Sequence, residues 1–103
     1  MNQGRDNLRK AVEKAVREYN RYRSPEATAK LVRINGSRAV IVFEGSFCET
    51  CGINEWVTDM KYVMEDLGIE AELEAIEEPE SPNEYRRVGI FRIKRLNFSW
   101  GKR

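Results

Sequence analysis

The sequence contains no histidine, and this absence limits the chemistry that the chain can perform. Histidine is the side chain that titrates near neutral pH and the commonest protein ligand of metals. Ser-His-Asp catalysis, Cys-His catalysis and His-based zinc sites are therefore excluded within this chain. Glutamine is also scarce, with one residue, while Lys, Arg and Glu are abundant. That composition is typical of heat-adapted proteins, in which intracellular disulfides are more acceptable.

Long apolar runs are missing as well. No uncharged stretch approaches the ~20 residues that a membrane-spanning helix needs. The first residues lack the apolar segment and the small-residue cleavage site of a secretory signal. With 41% hydrophobic and 34% charged residues over 103 positions, we expect one folded domain spanning residues 1–103. The expected protein is soluble and cytoplasmic, with no membrane contact.

Apolar residues at spacings of three and four predict two helices, over residues 6–23 and 53–67. Tyr22 lies on the apolar stripe of the first. Between the helices, two β-branched-rich runs at 27–34 and 38–44 are joined by Asn35-Gly36, a pair that favours a tight hairpin. A third strand starts at Ile69, and a fourth covers 85–98 with a change of alternation near Gly89 that indicates a bulge.

This αββαββ order predicts an α+β fold. A four-stranded, mostly antiparallel sheet with both helices packed on one face would bury every apolar stripe at once. The second strand has no polar break from Ala39 to Phe43. We therefore expect it to lie in the centre of the sheet with both of its faces covered.

Charge is sharply sorted along the chain. Residues 1–38 hold ten Lys/Arg and four Asp/Glu. Residues 39–84 hold one Lys/Arg and thirteen Asp/Glu, and residues 85–103 hold seven Lys/Arg and no Asp/Glu. A basic first helix and a basic last strand would attract phosphate if the fold brought them together. The last strand and the residues after it also carry aromatic side chains that would suit stacking on unpaired bases. They are Tyr85, Phe91, Phe98 and Trp100. The predicted nucleic-acid contacts are Arg9, Lys10, Lys14, Arg17, Arg86, Arg87, Arg92, Lys94 and Arg95.

Two simpler interpretations compete with this hypothesis. Glu70, Glu72 and Glu74 lie on the strand expected to pair with the basic one, and opposite charges across a hairpin are ordinary sheet stabilisation. The same pattern could also pair two chains in a homodimer.

The two cysteines form a Cys48-x-x-Cys51 motif before the second helix. A helix N-terminus favours a thiolate, so Cys48 could be a nucleophile and Cys51 a resolving thiol. The segment resembles the active-site turn of thioredoxin-like proteins. Hairpins stand where that fold has a βαβ unit, and Glu49 would oppose a thiolate. The alternatives are two structural cysteines or a local disulfide, and a zinc site shared by two chains, because one chain supplies two of four ligands.

The isolated glycines form no phosphate-cradling loop, so we expect no nucleotide cofactor, and no metal site is predicted within one chain. In element order alone, residues 8–76 resemble the small protein subunits of archaeal ribonuclease P, although the leading strand of that family is missing and no functional residue is carried over. The leading hypothesis is a non-enzymatic domain that binds RNA. The alternatives are a dithiol oxidoreductase and a homo-oligomeric structural or interaction protein.

Overall fold

A computed structural model of the chain describes residues 3–24, 26–45, 53–77 and 86–96. Two helices and four strands follow one another in the predicted order. Their bounds are α1 Gln3–Arg23, β1 Thr28–Asn35, β2 Arg38–Glu44, α2 Ile53–Asp66, β3 Ile69–Glu77 and β4 Arg86–Leu96. The predicted α+β fold is confirmed, since the strands form one sheet with the helices against it.

The strand order in the sheet is β1-β2-β4-β3, and all three pairings are antiparallel. Helix α2 connects β2 to β3, and β4 then returns into the space between these two strands. Helix α1 lies over β1, and α2 lies over β3. The late strand β4 is therefore central, while β1 and β3 form the edges.

One face of the sheet and the inner faces of both helices form the core. Tyr19 of α1 packs edge to face against Phe43 of β2, with ring centroids 5.4 Å apart, and Phe43 packs in turn against Phe91 of β4. The Tyr19 hydroxyl donates a 2.7 Å hydrogen bond to the Trp56 carbonyl of α2. Burial raises the pKa of Tyr19, because ionisation would place a charge in this apolar setting. Three elements thus meet at one ring.

Strand β2 is central, as predicted, but the described helices cover only one of its faces. Ala39, Ile41 and Phe43 point into the core. On the other face, where no described helix lies, the alternate residue Val40 is half-buried and Val42 is buried. The uninterrupted apolar run reflects contacts between neighbouring strands on this open face.

The hairpin between β1 and β2 is also confirmed, but its turn lies one residue later than predicted. Asn35 pairs with Arg38 in the ladder, so the two loop residues are Gly36 and Ser37. Gly36 has a φ of 65°, and no described residue other than glycine has a positive φ. A type II′ turn requires a positive φ at the first loop position only, so the observed turn is of this type. The Asn-Gly pair had predicted a type I′ turn, which requires a positive φ at both positions.

A bulge does lie beside Gly89, as predicted, but it belongs to the pairing of β4 with β3, and β3 carries the extra residue. Strand β4 pairs with β2 in regular register from Arg86 to Arg92. The register shifts against β3 instead, between Leu73 and Ala75 and between Glu70 and Ala71. Gly89 serves a different purpose, because helix α2 approaches the sheet closely above it.

Candidate nucleic-acid interface

The outward face of α1 carries a row of cations. Its inner positions are apolar and buried, and residues half a turn away point from the sheet into solvent. Four exposed cations follow one another there at intervals of four, three and four residues, so they share one side of the helix. We call this row the α1 stripe. It consists of Lys10, Lys14, Arg17 and Arg21.

The α1 stripe runs along about 16 Å of helix, at ~1.5 Å per residue. This is the axial length of about five base pairs of B-form DNA, at ~3.4 Å per pair. Arg9, the remaining predicted contact on α1, lies beside the stripe and forms a 3.7 Å ion pair with Glu13. Arg21 belongs to the stripe although it was not among the predicted contacts. The sequence signal for Arg21 is its spacing of four residues from Arg17, which places both on the same side of the helix.

Three of the five predicted contacts on β4 lie on the open face of the sheet, opposite the helices. Phe91 and Ile93 point into the core beneath the helices. Arg92 alternates with them and therefore points to the open face of the sheet. Lys94 and Arg95 lie on that face too, because each meets a glutamate of β3. The structure does not bring these three cations and the α1 stripe together into one surface.

Neighbouring acids also compensate much of the charge on β4. Arg95 lies 3.7 Å from Glu70, and Lys94 lies 3.7 Å from Glu72. These are cross-strand ion pairs of the kind that stabilises sheets. Phe91, considered above as a base-stacking residue, is fully buried and is unavailable to a ligand. The open face of β4 is thus a mixed-charge surface.

The two arginines that begin β4 are placed differently from each other. Arg86 is exposed and faces Glu44 of β2 in the ladder. Arg87 is half-buried, and its guanidinium donates a 2.8 Å hydrogen bond to the Arg86 carbonyl. Arg87 pairs with the core residue Phe43, so it lies on the helix side of the sheet.

Arg38 and Glu74 form the closest ion pair of the open face. The Arg38 Nε lies 2.7 Å from the Glu74 Oε1, and the pair spans β4. The hydrogen bond from Arg38 lowers the pKa of Glu74, and the nearby charges of Arg38 and Arg92 add to this effect. A lowered folded-state pKa means that the pair supports the fold above the unfolded-state pKa and loses this effect as the pH falls through the folded-state value.

We predict that Arg38→Gln moves the pKa of Glu74 back up to the ordinary range of a glutamate. The reason is that glutamine keeps much of the side-chain length but removes the charge and the strongest donor. NMR titration of the Glu74 carboxyl carbon measures this directly. Lys30→Gln, which removes an exposed cation of β1, is the control and should leave the titration unchanged. An identical Glu74 titration in wild type and Arg38→Gln would contradict the assignment.

Cys48 and Cys51 lie outside the described residues, so their roles stay predictions. Among the residues that are described, no group of three or more Cys, Asp or Glu side chains is placed to hold a metal ion. No helix in that part of the chain is both long and apolar enough to cross a membrane.

The tyrosines Tyr22 and Tyr62 are a surface feature that the sequence pattern did not predict, and both are largely exposed.

Comparison of the chain with protein-family models, with curated proteins and with solved structures finds no match. Function must therefore be argued from the site itself.

Proposed function

We propose that this protein binds nucleic acid, with RNA as the expected ligand, through the α1 stripe. The observation that carries the proposal is the row of four exposed cations on the outward face of α1. A row of this length can follow successive phosphates, and each neutralised phosphate releases condensed counterions. The expected mode is backbone contact without base readout, because the one described aromatic of β4 is buried.

The proposal narrows the predicted contact set. Arg92, Lys94 and Arg95 point away from α1, and two of them bond glutamates of β3. A ligand that used them would have to displace those glutamates or tolerate their charge. The four cations of the α1 stripe are exposed and share one side of the helix, so the helix is the proposed surface and the strand is the natural control.

Two matched variants separate a specific surface from a general effect of charge. The helix variant replaces Lys10, Arg17 and Arg21 with glutamine. The strand variant replaces Lys94, Arg92 and Arg95 with glutamine. Each variant loses one lysine and two arginines, so the two have equal net charge. Filter binding to single-stranded and to duplex RNA at nanomolar protein, over a series of salt concentrations, measures affinity and its salt dependence.

We expect the helix variant to lose at least tenfold in affinity for single-stranded RNA at low salt. The slope of log K against log salt should become shallower by about 2, at ~0.7 for each lost phosphate contact. The strand variant should change affinity by less than about twofold. Equal losses in both variants would show that net charge alone matters, and absence of binding at low salt would refute the function.

The predicted homodimer and the dithiol chemistry of the two cysteines stay predictions. The cysteine hypothesis is tested by alkylation of Cys48 as a function of pH, where a catalytic thiolate would react well below the ordinary thiol pKa of ~8.5.

A further inference from the structure

The outward side of α2 carries a second charged row, with the sign opposite to that of α1. Its inner residues are buried against the sheet. At intervals of four, three and four residues it presents three acids and one tyrosine. We call this row the α2 stripe. It consists of Glu55, Asp59, Tyr62 and Asp66.

The α2 stripe borders an open groove between the two helices. The groove has a volume of about 950 Å³. Glu18 of α1 adds another acid to its lining, while the one base among the described lining residues, Arg23, lies 3.4 Å from Asp59. At its rims stand Tyr22, which is 69% exposed, and Tyr62, which is 54% exposed. The groove is thus aromatic and acidic, and it suits a cationic occupant.

The chain itself supplies a cationic surface with the matching period. The α1 stripe repeats at intervals of four, three and four residues, which are also the intervals of the α2 stripe. Both stripes lie on the helix side of the molecule and point away from the sheet. Two copies related by a twofold axis between their helix layers would set α1 of each against α2 of the other. Twofold symmetry makes every such contact twice.

We infer that a second copy of this chain docks on the helix layer, with the α1 stripe of one copy on the α2 stripe of its partner. Charge complementarity selects this occupant, because the surface that fits the groove is present on the same chain. Exposed ion pairs alone bind weakly and are screened by salt. Tyr22 and Tyr62, as aromatic anchors beside a groove, add the apolar contact that such an interface needs.

The resulting dimer should be weak and sensitive to salt. Because it covers the α1 stripe, RNA and a second copy would compete for the same cations. The dimer itself needs no RNA, and its test contains none. Failure of the dimer therefore leaves the proposed function standing, and failure of RNA binding leaves the dimer standing.

Charge reversal provides the test. One variant carries Lys10→Glu and Arg21→Glu, which makes α1 repel the α2 stripe of another copy. A second variant carries Glu55→Lys and Asp66→Lys, which makes α2 repel the α1 stripe. Glu55 and Asp66 are chosen because Asp59 already contacts Arg23 within the chain. All four positions are exposed, so the fold should survive, and circular dichroism with urea unfolding verifies this.

Sedimentation equilibrium gives the association constant of each sample. Wild type should show a monomer–dimer equilibrium that weakens with added salt. Each variant alone should associate at least tenfold more weakly. An equimolar mixture of the two should associate about as tightly as wild type, because the reversed stripes complement each other. A wild type that is monomeric up to millimolar concentration, a dimer that persists in both variants, or a mixture that stays monomeric would each overturn the inference.

Discussion

Replacing Gly89 with alanine should lower the free energy of unfolding by about 1–3 kcal/mol, the usual cost of overpacking a core. A Cβ atom at this position would lie 2.8 Å from the Phe91 Cε1, 3.0 Å from the Val57 Cγ1 and 3.1 Å from the Phe43 Cε1. All three side chains are fully buried, so none can retreat into solvent. The close approach of α2 to the centre of the sheet therefore depends on the missing side chain.

The sign of the change in unfolding free energy distinguishes the effect of packing from the intrinsic preference of a strand for alanine over glycine. In an extended strand, alanine is better than glycine by roughly 0.5–1 kcal/mol, because glycine loses more backbone freedom on folding. Without the close contacts, Gly89→Ala would stabilise the protein. Urea unfolding with an unchanged m value measures the difference. A variant as stable as wild type would contradict the packing that the structure shows.

A double-mutant cycle with Val57→Ala tests the cause. Val57→Ala alone should destabilise by leaving a cavity. In combination with Gly89→Ala it removes the Val57 methyl groups that crowd the new Cβ. The double variant should then be less destabilised than the sum of the two single variants, with a coupling of about 0.5–3 kcal/mol. If the losses in free energy of unfolding of the two single variants simply add, the contact with Val57 is not the cause of the destabilisation by Gly89→Ala.

Asn20→Ala should lower the free energy of unfolding by about 2–3 kcal/mol. The Asn20 Nδ2 donates a 2.9 Å hydrogen bond to the Ala29 carbonyl, and the Ala29 N–H donates a 2.7 Å hydrogen bond to the Asn20 Oδ1. Ala29 is a buried residue of β1, which is an edge strand. The amide of Asn20 thus takes the place of a neighbouring strand, and its loss leaves a buried donor and acceptor unsatisfied.

Urea unfolding and hydrogen exchange of the Ala29 amide measure this effect. Exchange should accelerate in the variant, because the donor loses its acceptor. Alanine is the best helix former, so a loss of stability cannot come from the helix itself. Arg17→Ala, at an exposed position of the same helix, is the control and should change stability by less than about 0.5 kcal/mol. An Ala29 amide that stays equally protected would contradict the prediction.

Periodicity was sufficient to predict each helix and strand to within a few residues, because it reflects local geometry. It was less reliable at the margins of the core. Tyr22 has the spacing of the α1 apolar stripe, yet it is 69% exposed. The sheet and α2 contact only part of that stripe, and the groove leaves its last turn open. Spacing shows which side of a helix faces inward, but the width of the contact depends on the neighbouring element.

Bulges and turns show the same limit in the strands. The change of alternation in β4 was visible, but a bulge belongs to a pair of strands, and only the pairing shows which strand carries the extra residue. At the hairpin, Asn35 joins the ladder and the turn begins at Gly36. The sequence pattern predicted a turn there, whereas the register with β2 decided its type.

The sequence by itself determined the elements, the α+β class, the absence of histidine chemistry and the sorting of charge along the chain. Only the tertiary structure decided which charges share a surface. Insertion of β4 between β2 and β3 turns Arg92, Lys94 and Arg95 to the face opposite α1, and Glu70 and Glu72 then compensate two of them. The physical reason is that periodicity arises between near neighbours in the chain, whereas strand order arises from contacts between segments far apart in it.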